Sequence, residues 1–169
     1  MNSPFANLYL AIQERIIDEV PEILFVEQNF GQLDDYSNGG RPPVQYPCAL
    51  IDFQNFGFEN MGENTQRAEG DITITLAFAQ HGQTHNGQPD AWREAALNYY
   101  DIEWKLHKAL QGWAPGNPDD FGYLTRTSVV KDNRPLYVRL RTLTYRLAFE
   151  DYSTQPTQTT VVKPPVVIQ

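Results

Sequence analysis

The chain has 169 residues, 41% hydrophobic and 20% charged, with a formal net charge of −8. That length suits one well-buried core and is short for two, so a single ordinary soluble domain is expected. No run of about 18 apolar residues occurs, which excludes a membrane helix, and an acidic chain without a long basic run is a poor clamp for nucleic acid.

The first twenty residues, MNSPFANLYLAIQERIIDEV, have no basic leader and are interrupted by charges. They do not read as a signal peptide, and the chain is expected to be made and kept in a cytoplasm. Charge is graded along the chain: residues 1–70 hold 11 acids and 3 bases, residues 71–120 hold 7 and 3, and residues 121–169 hold 3 and 7. The sum runs from −8 through −4 to +4, a gradient that cancels either within one molecule or between copies. The single cysteine, Cys48, sits in an apolar run and reads as a buried thiol rather than a nucleophile.

In chain order, Ser3 and Pro4 open a helix with a capping residue followed by a fixed φ. Phe5, Leu8, Tyr9, Ile12, Ile16 and Val20 then recur at threes and fours, an amphipathic stripe that stops before Pro21. ILFVEQ, residues 23–28, has strand length and composition. Residues 30–47, FGQLDDYSNGGRPPVQYP, are dense in turn formers and read as a long surface loop making a hairpin connection. CALIDF, residues 48–53, is the next strand, followed by a second polar loop over 54–65. In residues 66–80, Ile72, Ile74, Leu76 and Phe78 alternate with Thr73, Thr75, Ala77 and Ala79, the cleanest strand alternation in the chain.

After the turn region HGQTHNGQP, Asp90 is a candidate N-cap for a second helix. Its stripe runs through Trp92, Ala95, Ala96, Tyr99, Ile102, Leu106, Ala109, Leu110 and Trp113, with Gly112 near the stop. At about 33 Å such a helix matches a strand of about ten residues and could cover a whole sheet face. Residues 121–131 form a further strand, and 132–134 turn into the most regular stretch, PLYVRLRTLTYRLAF (135–149). There Leu136, Val138 and Leu140 share one face, with Arg139 and Arg141 on the other. Beyond Arg141 the apolar set moves to Leu143, Tyr145, Leu147 and Phe149. This one-residue slip implies a β-bulge near Arg141 and Thr142, or else a strand that restarts in a second sheet.

The order α-β-β-β-α-β-β favours an α+β, two-layer domain: a mostly antiparallel sheet of about five strands with two helices on one face. Residues 1–152 form that single domain, and 153–169 an extended C-terminal arm that Pro164 and Pro165 keep from being helical.

Chemistry is sparse. His81 and His85 are four apart but flank Gly82 in a loop, and no third ligand accompanies them, so no metal or cofactor is expected. The pairs Asp34 with Asp35 and Asp119 with Asp120 lie in turn-rich segments and read as solvated loop acids, because catalytic pairs come from separate elements. No catalytic motif is present, and the chain is not expected to be an enzyme. Arg139 and Arg141 are expected to project outward with other bases of the C-terminal hairpin. They either pair with acids on neighbouring elements, such as Glu69 and Asp71, or dock onto a negative surface. The arm leaves Val161, Val162, Val166, Val167 and Ile168 either disordered or added to a neighbour's sheet edge.

The ordered elements LYLAIQERIIDEV, ILFVEQ, CALIDF, AEGDITITLAFAQ, AALNYYDIEWKLHKALQGW, FGYLTRTSVV and LYVRLRTLTYRLAFEDY together resemble the tail terminator, or tail completion, proteins of long-tailed bacteriophages and prophages. The resemblance covers residues 5–152; the loop 30–47 and the C-terminal tail depart from the compact family pattern. It implies a structural virion protein of the tail or neck: a hexameric ring that caps the tail tube and joins it to the head. Its implied partners are further copies of itself, the tail tube protein and the head–tail connector proteins. DNA would pass through the ring without sequence-specific binding. Arg139, Arg141, Asp34, Asp35 and the arm residues are then candidate interface positions. Two other readings remain: a different neck, tail tube or baseplate component, or a small α+β ligand-binding or enzymatic domain in which His81, His85 and the Asp34 loop converge on one pocket.

Overall fold

The structure is a computed structural model that describes residues 3–34, 43–79, 82–116, 121–132 and 138–154. Its elements are α1 (Pro4–Glu19), β1 (Phe25–Gln28), β2 (Cys48–Gly62), β3 (Thr65–Ala79), α2 (Asp90–Leu110), β4 (Thr125–Asp132) and β5 (Val138–Asp151). The strands form one five-stranded sheet in the order β1-β2-β3-β5-β4. All neighbours are antiparallel except β1 and β2, which run parallel. The expected α+β architecture is therefore observed.

Both helices pack on one face. Leu8, Ile12, Ile16 and Val20 from α1 meet Ile102, Leu106, Ala109 and Leu110 from α2, and the sheet contributes Ala49, Ile51, Ile72, Ile74, Leu76, Leu143, Tyr145 and Leu147. The stripes at threes and fours and the alternation in β3 place these residues inward, as helix and strand periods require. Ser3 occupies the N-cap of α1 but makes no side-chain capping bond; its carbonyl accepts from the Asn7 N–H at 3.1 Å. Pro89, not Asp90, is the N-cap of α2, and Asp90 stands in the first turn.

The connection between β1 and β2 is not a hairpin. Parallel neighbours require the chain to return to the same end before pairing again, and the described parts of this connection, residues 29–34 and 43–47, reach the face opposite the helices. Leu33 and Val44 are buried there with Cys48, Leu50, Ala77 and Leu140. The sheet is thus apolar on both sides at this end.

That second cluster explains the phase slip in β5. β3 and β5 pair without a register break from Gln66 opposite Asp151 to Ala79 opposite Val138. Neither a bulge near Arg141 and Thr142 nor a second sheet exists. Arg139, Arg141, Leu143, Tyr145, Leu147 and Phe149 all share the helix face, while Val138, Leu140, Thr142, Thr144 and Arg146 share the other. The backbone keeps its phase, and the apolar residues change sides because the buried side changes. Register shifts occur instead in β2, at Gln54/Gly57 and Asn60/Gly62, and in β4, at Arg126/Ser128.

Residues 54–62 are strand rather than loop. β2 runs on to Gly62 and turns into β3 through Glu63 and Asn64, whose φ values of 49° and 59° are those of a two-residue type I′ turn. Glycine is called for twice in this arm, at Gly62 with φ +89° beside the turn and at Gly70. A Cβ at Gly70 would lie 2.4 Å from the Phe56 ring, so its absence lets Phe56 lie flat on β3 and join Phe5, Phe53 and Phe149.

The second helix does not cover the sheet. No residue of α2 before Ile102 is buried, and Trp92 is 68% exposed. Only the C-terminal half of the helix lies on the core.

Candidate functional site

The first half of α2 and the end of the sheet enclose a cleft of about 470 Å³, lined by Tyr46, Pro47, Phe78, Ala96, Tyr99 and Arg139 among others. The β3–α2 loop closes one side. Gly82, at φ +82°, comes close enough to α2 that a Cβ there would lie 2.9 Å from that of Ala96. Volumes of about 300–1,000 Å³ are typical of ligand clefts.

Arg139 and Arg141 both point toward the helix layer, not outward as the sequence suggested, because their places on β5 lie on the helix face. Arg141 is neutralised there. Its Nε and Nη2 donate to the two carboxylate oxygens of Glu103 at 2.6 and 2.9 Å, and the two side chains are 18% and 11% exposed. Hydrogen bonding to Glu103 raises the pKa of Arg141, and its guanidinium also lies 5.6 Å from the Tyr100 ring.

Arg139 has a different environment. It donates to the Tyr99 hydroxyl at 2.6 Å and lies 4.1 Å from the centre of the same ring, in cation–π range. Among the described residues no carboxylate pairs with it. Burial, and secondarily a hydrogen bond with Tyr100, pushes Tyr99 up to about 12, so the phenol stays neutral at physiological pH and offers Arg139 no charge. Among the described residues, the cleft therefore holds one cation whose countercharge its neighbours do not supply.

The remaining candidates do not form a catalytic constellation. His85 is held within its own loop, its Nδ1 accepting from the Gly87 N–H at 3.1 Å and its Nε2 lying 3.1 Å from Gln83 Oε1. His107 lies inside α2 with Nδ1 unpaired, and burial, then the nearby Arg126, lowers its pKa. Asp34 closes a turn in which its N–H donates to the Gly31 carbonyl at 2.8 Å, and it does not line the cleft. Cys48 is buried, and burial pushes its thiol up to about 12, which removes it as a nucleophile. Among the described residues no group of three His, Cys, Asp or Glu could hold a metal ion, and no helix is long and apolar enough to cross a membrane. His81, Asp35, Asp119, Asp120, Val161, Val162, Val166, Val167 and Ile168 lie outside the described residues.

Tyr99 and Glu103, which answer the two arginines, were not singled out from the sequence. Glu103 falls on the same side of α2 as Tyr99, Leu106 and Leu110. A carboxylate inside an apolar stripe was the available signal that a cation faces it.

No protein-family model matches the chain, and no curated protein matches it. Among solved structures, a chain described as "Virion of native gene transfer agent (GTA) particle" aligns with a TM-score of 0.45 and 11% identity, covering 88% of this chain and 95% of that one. At that score and identity the likeness establishes neither a common fold nor a common role.

Proposed function

We propose that the chain is a structural virion protein that assembles with copies of itself into a ring, a hexamer, which caps a phage-type tail tube and joins it to the head. The order of elements supports this through the resemblance to tail terminator proteins.

The observation that carries the assembly reading is the open edge of the sheet. β1 pairs with β2 only as far as Gln28 opposite Ile51, so residues 52–62 present one unpaired edge among the described strands. That edge is flanked by Phe58 and Met61, each at least half exposed. A long open edge with apolar flanks is an aggregation hazard in a free monomer, and proteins that keep one ordinarily cover it. Closed symmetry is the commonest way to cover such surfaces without making filaments. The role does not call for an active site. DNA passes through the ring without base recognition, and the acidic net charge suits that passage.

The test is the mass of the purified full chain in solution, followed by electron microscopy and a capping assay. A ring near six copies that stops elongation of tail tubes supports the whole reading. A ring that binds elsewhere in the virion keeps the assembly and overturns the cap. A strict monomer at micromolar concentration that also fails to join purified tails overturns both.

A further inference from the structure

We propose that the tip of the β2–β3 hairpin of one copy docks into the cleft beneath α2 of the next, with Glu63 closing on Arg139. The inference rests on the reading that copies assemble, and it specifies which surfaces meet.

The two surfaces are complementary in chemistry. The tip end of the sheet carries Glu59, Glu63, Glu150 and Asp151 against the single base Arg67, and it exposes Phe58, Met61 and Tyr152. Among the described residues Glu59 and Glu63 form no ion pair. The cleft offers the converse: an apolar floor from Pro47, Phe78, Ala96 and Ile102, and in Arg139 a guanidinium stacked on Tyr99 without a carboxylate. Arg141, two residues along the same strand, shows how this helix layer answers a cation when the chain supplies the acid itself. At Arg139 no described residue supplies the acid, and a second copy can.

The tip is built to be inserted. A two-residue turn ends it, and its base is held on both sides of β3, since Gln66 pairs with Asn60 on β2 and with Asp151 on β5. The Thr154 hydroxyl donates to the Asn64 carbonyl at 2.6 Å and ties the turn to the end of β5. A tongue ordered before contact loses little entropy on binding.

Placement makes the contact intermolecular. The turn lies at one end of β3 and the cleft, with Phe78 and Ala79, at the other. At about 3.3 Å per residue the fourteen steps between Thr65 and Ala79 separate them by about 45 Å. No copy can fill its own cleft. Within the proposed ring this contact is heterologous, head to tail, and repeats from copy to copy.

Two measurements on the full chain decide this. Cysteines introduced by Glu63→Cys and Gln83→Cys in one chain should form an intermolecular disulfide under mild oxidation, identified by peptide mass spectrometry and giving a ladder of linked copies. Separately, R139E and E63R should each weaken assembly at least about tenfold, as removal of a close interfacial charge pair does. The double charge swap R139E/E63R should restore assembly, and so should mixing the two single variants. E63R changes only an exposed turn, and thermal unfolding confirms that each variant folds. Rings that form without the cross-link and ignore both charge reversals overturn the docking while leaving assembly intact. Single reversals that weaken assembly without rescue by the double swap also overturn it. A chain that neither assembles nor cross-links overturns this inference together with the assembly reading.

Discussion

Both faces of the sheet carry arginine–carboxylate pairs, and the surroundings of Arg141 with Glu103 and of Arg146 with Asp71 differ. On the helix face Arg141 meets Glu103 in a fork beneath α2, both side chains largely shielded. On the opposite face Arg146 meets Asp71 at 3.0 Å with the arginine 54% exposed. The helix face is dry along most of its length, so a charge placed there requires a geometrically matched partner. The other face is apolar where Leu33 and Val44 lie over it and polar beyond, where Thr73, Thr144, Asp71 and Arg146 stand. Burial on this sheet is thus set by what lies over each strand segment, not by which side of the sheet a residue occupies.

That contrast can be broken or sharpened by substitution. The largest effect is expected from Leu143→Ala, which empties part of the main core and should cost about 3–4 kcal/mol in urea denaturation. Leu140→Ala, in the smaller cluster on the other face, should cost about 2 kcal/mol; equal losses at the two sites would show that the faces are buried alike. Glu103→Gln leaves the shielded Arg141 half answered and should cost about 2 kcal/mol. Arg146→Ala should lose less than about 1 kcal/mol, and high salt should erase most of it, because exposed pairs are screened.

The smallest effect is a pH dependence confined to the helix face. His107 has its pKa lowered in the fold, so the folded form binds fewer protons than the unfolded form between that value and the ordinary one of about 6.5. Stability therefore falls as pH drops through about 6.5, and the loss is complete below the folded value. Denaturation midpoints of the native chain and His107→Gln, compared between pH 7.5 and 5, should converge on acidification. Arg126, Glu103 and Tyr145 surround this group, and none of them is changed in the comparison.

The sequence revealed those parts of the fold in which one face is buried throughout. The stripe of α1 is such a case, and in β3 the large apolar residues Ile72, Ile74, Leu76 and Phe78 keep to the helix face even though Ala77 is buried on the other. It misled where both faces are covered, because in β5 the switch from Val138 and Leu140 to Leu143 and Tyr145 looks like a shift of the backbone when it is a shift of the covering layer. It reads as a polar loop over residues 54–65, where β2 runs on to Gly62, because an exposed two-stranded arm rich in Gly, Asn and Glu has no burial pattern to display. In the cleft, Arg139 was visible as a candidate, but its orientation depended on the phase of β5. Tyr99 was read only as a stripe residue of α2. Its ring turns partly away from the core toward the guanidinium, a tertiary detail that helical spacing does not encode.

The strand order has a consequence for synthesis. β5 is the last strand in the chain order, yet it lies between β3 and β4, and the edge of β3 away from β2 is paired only when β5 is present. While the ribosome is still making α2 and β4, the completed β2–β3 hairpin displays the bare edge of β3, including the segment from Ile72 to Phe78. This is a topology of late, long-range closure, which slows folding and lengthens the time for which nascent chains on one message can pair with each other. On the proposed assembly, a chain whose mature surfaces meet other copies must first avoid meeting them at this edge.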